Sequence, residues 1–388
     1  MARLSKEFFE IVEREEECRG HKKNAKILFI LKKRQQTYDE GANLASDPDK
    51  KNNPYYNGIS TGLKNSVKFV VKMLNDAGIE AAMEIAIDNN CIDRLVKNYK
   101  PTHVVIEAFW VVPSKFDVLS KLHPTVKWIV RNHSELPFLS TEGSATGWML
   151  EYVSKRNVFM AVNSPKSYTD VLDMFTAVYG EDRAREKLLY LPNYYINKVG
   201  FVERKDIDYT VDVGCFGAFR PYKNQMVQAV AAVEFARQRG VRLRYHVNTA
   251  RIEGDANPIL KSVRAYFNSL DNNMYKLVEH GWLEHEDFLQ LITKMDIGLQ
   301  ISFSETFNIV AADFVACGVP MVVSEEIFWM PEQFMAKTTD VKNIVHVMNK
   351  TLSCFHFWRK GKKALRALEH YNEESRDVWL RQFEGLYN

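Results

Sequence analysis

The stretch FSETFNIVAADFVACGVPMVVS, Phe303–Ser324, decides the fold. It follows the apolar run DIGLQIS, which is typical of a strand buried on both of its faces. A helix is predicted from about Thr306, because apolar residues and Asp313 then share one face at helical spacing. Gly318 and Pro320 end this helix and open a second buried strand. The segment is therefore predicted to be a strand, a helix and a strand, the repeating unit of a parallel sheet covered by helices.

Short apolar runs alternate with amphipathic stretches along most of the chain, which predicts right-handed strand–helix–strand units and doubly wound sheets. The predicted strands are Lys26–Leu31, His103–Val112, Val126–Val130, Val158–Val162, Leu188–Leu191, Tyr209–Phe219, Arg242–Val247, Tyr275–His280, Ile297–Ser302 and Pro320–Ser324. A polar stretch at 193–208 interrupts the series. The sequence therefore predicts an α/β protein with one Rossmann-like domain over 1–200, a second over 201–358, and a helical tail over 359–388 that packs back on the N-terminal domain.

Composition narrows the class of protein. The chain has 388 residues, 46% of them hydrophobic, and a net charge of +3, which suits a folded protein with substantial cores. Its five cysteines are scattered without CxxC spacing, so neither a disulfide scaffold nor a cysteine zinc site is expected. The Glu-rich N-terminus does not resemble a signal peptide, and no apolar run is long enough to span a bilayer. We therefore expect a cytoplasmic protein without a transmembrane segment.

The decisive stretch also carries a candidate binding site. Glu305 lies just beyond a strand, and Asp313 lies eight residues further on. If the helix begins near Thr306, the backbone N–H groups of Phe307, Asn308 and Ile309 are unpaired and form an anion site. Such amides between two carboxylates suit a phosphorylated, hydroxyl-rich ligand. The alternative is an ordinary strand–helix unit in which the two acids are a cap and a solvated residue.

A second candidate lies in GCFGAFRPYKNQ, Gly214–Gln225. Here a buried strand ends, and Arg220 and Lys223 flank a proline turn before the next helix. Two cations in such a loop can hold a diphosphate, arginine through its planar fork and lysine as a point charge. The alternative is a surface turn with two solvated cations.

These residues carry a resemblance to a known family. Gly214–Ser324 resembles the donor-binding half of family 4 glycosyltransferases, which are retaining enzymes of the GT-B fold, with two Rossmann-like domains facing across a cleft. The shared features are a glycine-rich strand followed by Arg and Lys, and the run GWLEHEDFLQLITKMDIGL. The hallmark of the family is a Glu-x7-Glu motif before A-x-G-x-P-V-V, of which this chain has Glu305 at the first acid and Gly318, Pro320, Val322 and Val323. The sequence departs from the family at Asp313, where the family has Glu, and at Asn308, where it has Gly. The N-terminal half resembles the family more loosely in NGISTGLKNSVKFVVKMLNDAGIE, PTHVVIEAF, VRNHSE and LPNYY.

The resemblance implies an activity, namely sugar transfer from a nucleotide-sugar donor to a hydroxyl acceptor, without a metal or cofactor. A UDP- or GDP-sugar is the expected donor. In the second domain, the resemblance implies that Glu305 contacts the donor sugar and is catalytic, and that Asp313 holds the ribose. Arg220 and Lys223 would hold the diphosphate, together with the amides of Phe307–Ile309.

In the N-terminal domain, which holds most of the acceptor site in this fold, the resemblance implies three further residues. Gly58 and Gly62 form a glycine loop that lets the backbone approach the reaction centre. His133 follows a strand in RNHSE and is expected to be catalytic, close to the transferred sugar. The alternatives are a flexible polar loop for the glycines and a structural, hydrogen-bonded role for the histidine.

The acceptor stays open. Residues 21–72 contain eleven Lys or Arg and four acids, a local charge of +7, which indicates an anionic acceptor, either DNA or a lipid or glycan at a membrane surface. A solvated lysine-rich surface is the simpler explanation. EAFWVVP and RNHSE resemble glycosyltransferases of large phages, which implies hydroxymethylpyrimidine DNA as the acceptor and the host cytoplasm as the location. Asp313 and Asn308 leave a third hypothesis open, a GT-B sugar-nucleotide epimerase or a non-catalytic binder.

Overall fold

The structure is a computed structural model that describes residues 25–33, 61–196, 209–254, 256–353 and 357–384. These residues form two compact units. The chain divides between Ile196 and Asn197, and again between Tyr371 and Asn372, so that the end of the chain from Asn372 belongs to the first unit. No helix in the described part of the chain is long and apolar enough to cross a bilayer.

The first unit contains a parallel sheet. Its strands are β1 (Lys26–Lys32), β2 (Glu80–Ala86), β3 (His103–Glu107), β4 (Lys127–Arg131), β5 (Val158–Val162) and β6 (Leu188–Tyr190). They lie in the order β2-β1-β3-β4-β5-β6. The helices of this unit are α1 (Thr61–Asp76), α2 (Cys91–Tyr99), α3 (Lys115–Leu122), α4 (Leu136–Leu139), α5 (Ala145–Ser154), α6 (Pro165–Tyr179) and α7 (Glu181–Lys187).

The second unit contains a parallel sheet of its own. Its strands are β7 (Thr210–Cys215), β8 (Arg242–Asn248), β9 (Tyr275–His280), β10 (Ile297–Gln300) and β11 (Met321–Val323). They lie in the order β11-β10-β7-β8-β9. The remaining helices are α8 (Gln225–Arg239), α9 (Asn257–Asn268), α10 (His285–Ile292), α11 (Ile309–Ala316), α12 (Val341–Leu352) and α13 (Phe357–Glu384), with a 3-10 turn at Glu332–Phe334.

The strands are apolar on successive residues because both faces of each sheet are covered. In β1, Leu28 and Ile30 point into one buried cluster, whereas Phe29 and Leu31 point into another on the opposite face. The C-terminal part of α13 packs on this second face, where Trp379 lies 5.8 Å from the ring of Phe29. Burial of both faces therefore explains the absence of polar alternation in the sequence.

Two strands are much shorter than predicted. The strand predicted to run to Val112 ends at Glu107, because Ala108 has a φ of 66°, a left-handed conformation that a strand cannot contain. The indole of Trp110 then donates a hydrogen bond back to the Glu107 carbonyl at 3.1 Å. The strand predicted to run to Phe219 ends at Cys215, since Gly217 has a φ of 111°. Both corrections move residues from a strand into the loop that follows it.

In each sheet there is one place where the strand order reverses. It lies between β1 and β3 in the first sheet and between β7 and β10 in the second. Ligands of open parallel sheets bind beyond the carboxyl ends of the strands at such points. The loops after β7 and β10 carry Arg220, Lys223 and Glu305, and Glu107 is the last residue of β3.

Two glycines allow α11 to lie close to the second sheet. A Cβ atom on Gly298 of β10 would come within 2.6 Å of the Phe314 ring, and one on Gly214 of β7 within 2.8 Å. Atoms this close overlap, so any larger residue would push α11 outward. Both glycines therefore fix the depth at which the N-terminus of α11 meets the sheet edge.

Candidate functional site

Five charged side chains converge at the carboxyl edge of the second sheet, at the reversal between β7 and β10. Lys223 donates to Glu305, and Arg251 forms an ion pair with Glu253. Arg220 lies between the two acids, with Nη2 4.0 Å from Glu305 Oε2 and Nη1 3.8 Å from Glu253 Oε2. The charges alternate in sign along this line, with three cations and two carboxylates. The structure thus brings together three predicted residues, Arg220, Lys223 and Glu305.

The backbone of the β7–α8 loop holds Lys223 in place. Tyr222 and Asn224, on either side of the lysine, have φ values of 69° and 57°. The carbonyl of Tyr222 accepts from the Phe303 amide at 2.7 Å, and the Asn224 side chain donates to the Ile301 carbonyl at 3.0 Å. Both bonds tie this loop to the one after β10. Left-handed backbone is unfavourable for non-glycine residues, so this loop depends on its surroundings for its shape.

Two buried glutamines complete this framework. Gln228 accepts from the Ile301 amide at 3.0 Å and donates to the Lys223 carbonyl at 2.7 Å. Gln300, at the end of β10, accepts from the side chain of Asn308 at 2.9 Å. Gln228 thus ties the backbone of Lys223 to that of Ile301, and Gln300 ties the end of β10 to the N-cap of α11, so that the chain is held on both sides of Glu305.

Burial and the ionic contact have opposite effects on the pKa values of Lys223 and Glu305. Burial alone would raise the pKa of Glu305, but the positive charges of Lys223 and Arg220 outweigh it and hold that pKa below its usual range. Burial lowers the pKa of Lys223, and Glu305 offsets only part of that effect. The carboxyl group is therefore ionised at neutral pH, as binding of hydroxyls or cations requires.

Helix α11 begins at Ile309, which corrects the predicted start at Thr306. Asn308 is its N-cap, with a φ of 59°, so the helix cannot extend through it toward Thr306. The Asn308 side chain accepts from the Ala311 amide at 2.9 Å. Because the first N–H groups of a helix have no intrahelical acceptor, the amides of Ile309 and Val310 point out of this terminus. The helix terminus therefore offers the amides of Ile309 and Val310, one residue beyond the predicted set of Phe307, Asn308 and Ile309, and anion binding there stays a prediction.

Asn308 also accounts for one departure from the resembled family. Glycine is the residue that most readily adopts positive φ, and asparagine is among the few others that tolerate it. The observed φ of 59° therefore allows asparagine where that family has glycine. Its side chain is committed to Ala311 and Gln300.

Phe307 has a structural side chain. It is 1% exposed, its ring stacks on Tyr371 at 5.0 Å, and its carbonyl accepts from the Trp329 indole at 2.7 Å. A ligand could meet Phe307 only through its backbone.

Asp313 lies buried on α11 and faces α10. Its Oδ1 atom is 2.7 Å from Nε2 of His285, the first residue of that helix. Burial lowers the pKa of His285, but the bond to Asp313 outweighs this effect, so the pKa of His285 is raised overall. Nothing in the sequence pattern singled out His285. The role of Asp313 toward a ribose stays a prediction.

His133 belongs to a second polar cluster, in the first unit. Its Nε2 atom contacts the carboxylate of Glu107, and its Nδ1 atom lies 3.5 Å from the amide nitrogen of Asn163. Arg131, at the end of β4, donates to the same carboxylate at 3.3 Å. Glu135, two residues beyond His133, accepts from the hydroxyl of Ser164. His133 is thus placed at a strand end within a network of buried charged groups.

Arg131 connects this cluster to the LPNYY segment. Its guanidinium donates to the carbonyls of Leu191 and Pro192, both at 2.9 Å, and to the side chain of Asn193 at 2.7 Å. With Glu107 and Arg131 both fully buried, the cluster contains an ion pair shielded from water. Neither residue was predicted, although Arg131 ends a continuous apolar run and Glu107 interrupts one, and a charged residue at such a place is a signal visible in the sequence.

The remaining predicted features fall partly outside the described residues. Gly58 lies outside them, and Gly62 lies in the first turn of α1. Of the basic stretch, Lys22, Lys23, Arg34, Lys50 and Lys51 also lie outside them. Two of its described lysines are in surface ion pairs, Lys26 with Glu80 at 2.6 Å and Lys72 with Asp76 at 2.7 Å. Among the residues that the structure describes, no cluster of three or more His, Cys, Asp or Glu side chains could hold a metal ion.

This chain is similar to solved structures of known proteins. No protein-family model and no curated protein matches the sequence. The trehalose-6-phosphate synthase OtsA matches with a TM-score of 0.64 and 10% identity over 93% of this chain and 99% of that one. Anabaena Alr3699/HepE in complex with UDP matches with a TM-score of 0.55 and 13% identity over 92% of this chain and 97% of that one.

A TarM variant from S. aureus, in complex with Fondaparinux, alpha-GlcNAc-glycerol and UDP, matches with a TM-score of 0.55 and 11% identity over 72% of this chain. The match spans only 55% of that longer chain. At these identities the matches bear on the fold alone. With the two parallel sheets described above, they confirm the predicted fold, two Rossmann-like α/β domains of the GT-B class.

Proposed function

We propose that this protein is a glycosyltransferase that moves a sugar from a nucleoside-diphosphate sugar to a hydroxyl acceptor. The observation that carries the proposal is the convergence of Arg220, Lys223 and Glu305 where the second sheet reverses its strand order. The N-terminus of α11 lies in the same loop as Glu305. Cations, outward-pointing amides and a buried ionised carboxylate match the phosphates and hydroxyls of such a donor.

In the proposed complex, Arg220 and Lys223 bind the diphosphate of the donor instead of the carboxylates with which they are now paired. Arg220 binds it as a planar fork, Lys223 as a point charge, and the amides of Ile309 and Val310 through the partial positive charge of the helix end. Negative charge grows on the phosphate as the glycosidic bond breaks. Fixed positive groups at that point stabilise the transition state more than the ground state, which is how they accelerate the reaction. We assign this task to the protein's own cations, without a metal.

The other predicted residues have separate roles in this proposal. Glu305 accepts hydrogen bonds from the sugar hydroxyls once Lys223 turns to the phosphate. Asp313, acting together with His285, lies one helical turn into α11 and serves the ribose. For His133, in the first unit, we propose contact with a hydroxyl of a sugar substrate. We propose retention of the anomeric configuration on the resemblance alone.

A UDP-sugar is the donor we favour. The HepE and TarM structures are both described as complexes with UDP, and they share the fold of this chain. A GDP- or ADP-sugar would use the same diphosphate groups, so the base must be determined by experiment.

The decisive experiment incubates the protein with UDP-, GDP- and ADP-sugars and measures nucleotide release with and without acceptors. The acceptors are a glycan, a lipid-linked alcohol and DNA containing hydroxymethylated pyrimidines. We expect release with one donor and at least one acceptor. Binding of a donor without turnover on any acceptor would contradict the proposal and favour a sugar-nucleotide epimerase or a non-catalytic binder.

Hydroxymethylpyrimidine DNA is the second candidate acceptor, on the ground of the +7 charge of residues 21–72. DNA binding releases counterions from the phosphate backbone, so the affinity falls steeply as salt rises. If DNA is the acceptor, its KM should rise at least tenfold between about 50 and 200 mM salt. A neutral glycan acceptor should show little change over that range.

A further inference from the structure

Glu107 is a buried carboxylate between two nitrogen bases. Its side chain is fully buried at the carboxyl end of β3, where Nη1 of Arg131 lies 3.3 and 3.4 Å from its two oxygens. The Nε2 atom of His133 contacts the same carboxylate. An ionised carboxylate removed from water requires a compensating positive charge, which either Arg131 or His133 must provide.

Arg131 provides that charge by itself. A guanidinium stays protonated at any physiological pH, and the carbonyls of Leu191 and Pro192 and the side chain of Asn193 hold this one in place. Because Arg131 already balances Glu107, a second cation on His133 is not required.

The surroundings of His133 also favour the neutral imidazole. Burial lowers its pKa, Glu107 raises it, and Arg131 lowers it again, with a net decrease. Glu135 is the other acid in this loop, and it accepts from Ser164. The neighbouring strands β5 and β6 lead into uncharged amides, Asn163 and Asn193. At neutral pH, His133 is therefore uncharged.

A neutral histidine next to a carboxylate has only one reasonable tautomer. A carboxylate can only accept, so the proton of the ring lies on Nε2, which donates to Glu107. Nδ1 then carries a lone pair. Nδ1 accepts from the Asn163 amide over a long contact of 3.5 Å, which a ligand hydroxyl would replace, and 17% of the side chain is exposed.

We propose that Glu107 and Arg131 are positioning residues that hold His133 neutral, in the Nε2–H tautomer, with Nδ1 as the acceptor for a hydroxyl of the sugar substrate. Glu107 fixes the tautomer and the plane of the ring, and Arg131 prevents the carboxylate from drawing a proton onto it. This inference rests on the proposed function for the identity of the ligand, and on the geometry of the first unit for everything else.

The direct test is nuclear magnetic resonance of the full-length protein labelled with ¹⁵N-histidine. The signal of His133 is assigned among the ten histidines by its loss in His133→Gln. We expect a neutral Nε2–H ring at pH 7 that titrates below 6.5, the ordinary value for histidine. A ring charged at pH 7, or protonated on Nδ1 alone, would overturn the proposal. The native protein is used, so the test does not depend on how a Glu107 variant folds.

Kinetics give the second test. Glu107→Gln keeps the shape of the side chain but removes the charge that fixes the tautomer. We expect kcat for nucleotide release to fall about 10- to 100-fold, as when the hydrogen-bond partner of a metal-bound histidine is removed, and its pH profile to change. KM for the donor should stay within a factor of two. The control is Asp117→Asn, in an exposed ion pair with Lys155 in the same unit, which should leave kcat and its pH profile unchanged.

The two proposals fail in different ways. If the wild-type protein consumes no nucleotide sugar, the proposed function is wrong, whatever the state of His133. If transfer occurs and a folded Glu107→Gln protein keeps the wild-type kcat and pH profile, the positioning role is wrong while the function stands.

Discussion

Lys223 and Glu305 lie 82 positions apart in the chain and form a buried ion pair at the carboxyl edge of the second sheet. Neither loop alone forms the site, because each supplies one sign of charge. The pair forms where β7 and β10 are neighbours and the strand order reverses. The cations that we propose to bind the anionic ligand are therefore already in place at this edge in the free protein.

Lys223→Ala should strongly reduce sugar transfer in a folded protein. It removes a fixed positive charge next to the proposed leaving phosphate, and loss of one such group typically lowers kcat by about 10²- to 10³-fold. Nucleotide release measures the effect, and circular dichroism checks folding. The matched control, Lys155→Ala, removes a lysine from the ion pair with Asp117 in the first unit and should keep full activity. Full activity in Lys223→Ala would show that this site is wrongly assigned.

Glu305→Gln should separate binding from transfer. The neutral amide no longer competes with a diphosphate for Lys223 and Arg220, so UDP should bind at least as tightly as to the wild type. Transfer should still fall, because the charged acceptor for the sugar hydroxyls is gone. Isothermal titration with UDP and a nucleotide-release assay report the two effects. A parallel loss of UDP affinity and transfer would be inconsistent with a competing carboxylate.

The pair of His285 and Asp313 should stabilise the fold in a pH-dependent way. The pKa of His285 is raised in the folded protein, although burial opposes the effect of Asp313. The stabilisation is thus complete below 6.5, the ordinary pKa, and is lost as pH rises through the raised value. Urea unfolding between pH 5.5 and 9 should show a decline for the wild type that is smaller in His285→Gln. Identical profiles for the two proteins would refute this assignment.

Gly298→Ala should destabilise the second unit. The added Cβ would meet Phe314 at 2.6 Å, and overpacking of this kind usually costs about 1–3 kcal/mol. Urea unfolding measures the loss, and Phe314→Leu in the same protein should restore part of it by making room. Gly147→Ala is the control, because nothing lies within 4 Å of its added Cβ. Equal stability of the two alanine variants would mean that the close approach of α11 is not required.

The sequence indicated the fold because both faces of the strands are buried, and this leaves continuous apolar runs that are easy to recognise. It also indicated Arg220, Lys223 and Glu305, since each lies in a loop directly after such a run. The start of α11 was missed because a positive φ at Asn308 depends on the hydrogen bonds to Gln300 and Ala311, which no local propensity reveals.

Contacts between side chains on different strands or helices could not be predicted at all. Glu107 meets Arg131 only because β3 lies beside β4, and His285 meets Asp313 only because α10 packs against α11. Glu107, Arg131 and Asp313 were visible as charged residues within or at the end of apolar runs, but the partner of each depends on the order of strands and helices in space. Loop residues such as Glu253 depend on tertiary contacts in the same way, through Arg220 and Arg251.

The central claim, that Arg220, Lys223 and Glu305 form a nucleoside-diphosphate site, is tested most directly by calorimetric titration of UDP, GDP and ADP. The wild type, Lys223→Ala and the Lys155→Ala control are compared under one salt condition. We expect one nucleotide to bind the wild type and the control equally, and Lys223→Ala at least about tenfold more weakly, since one charge-assisted hydrogen bond is lost. Equal affinity in all three proteins, or no binding of any nucleotide to the wild type, would contradict the claim.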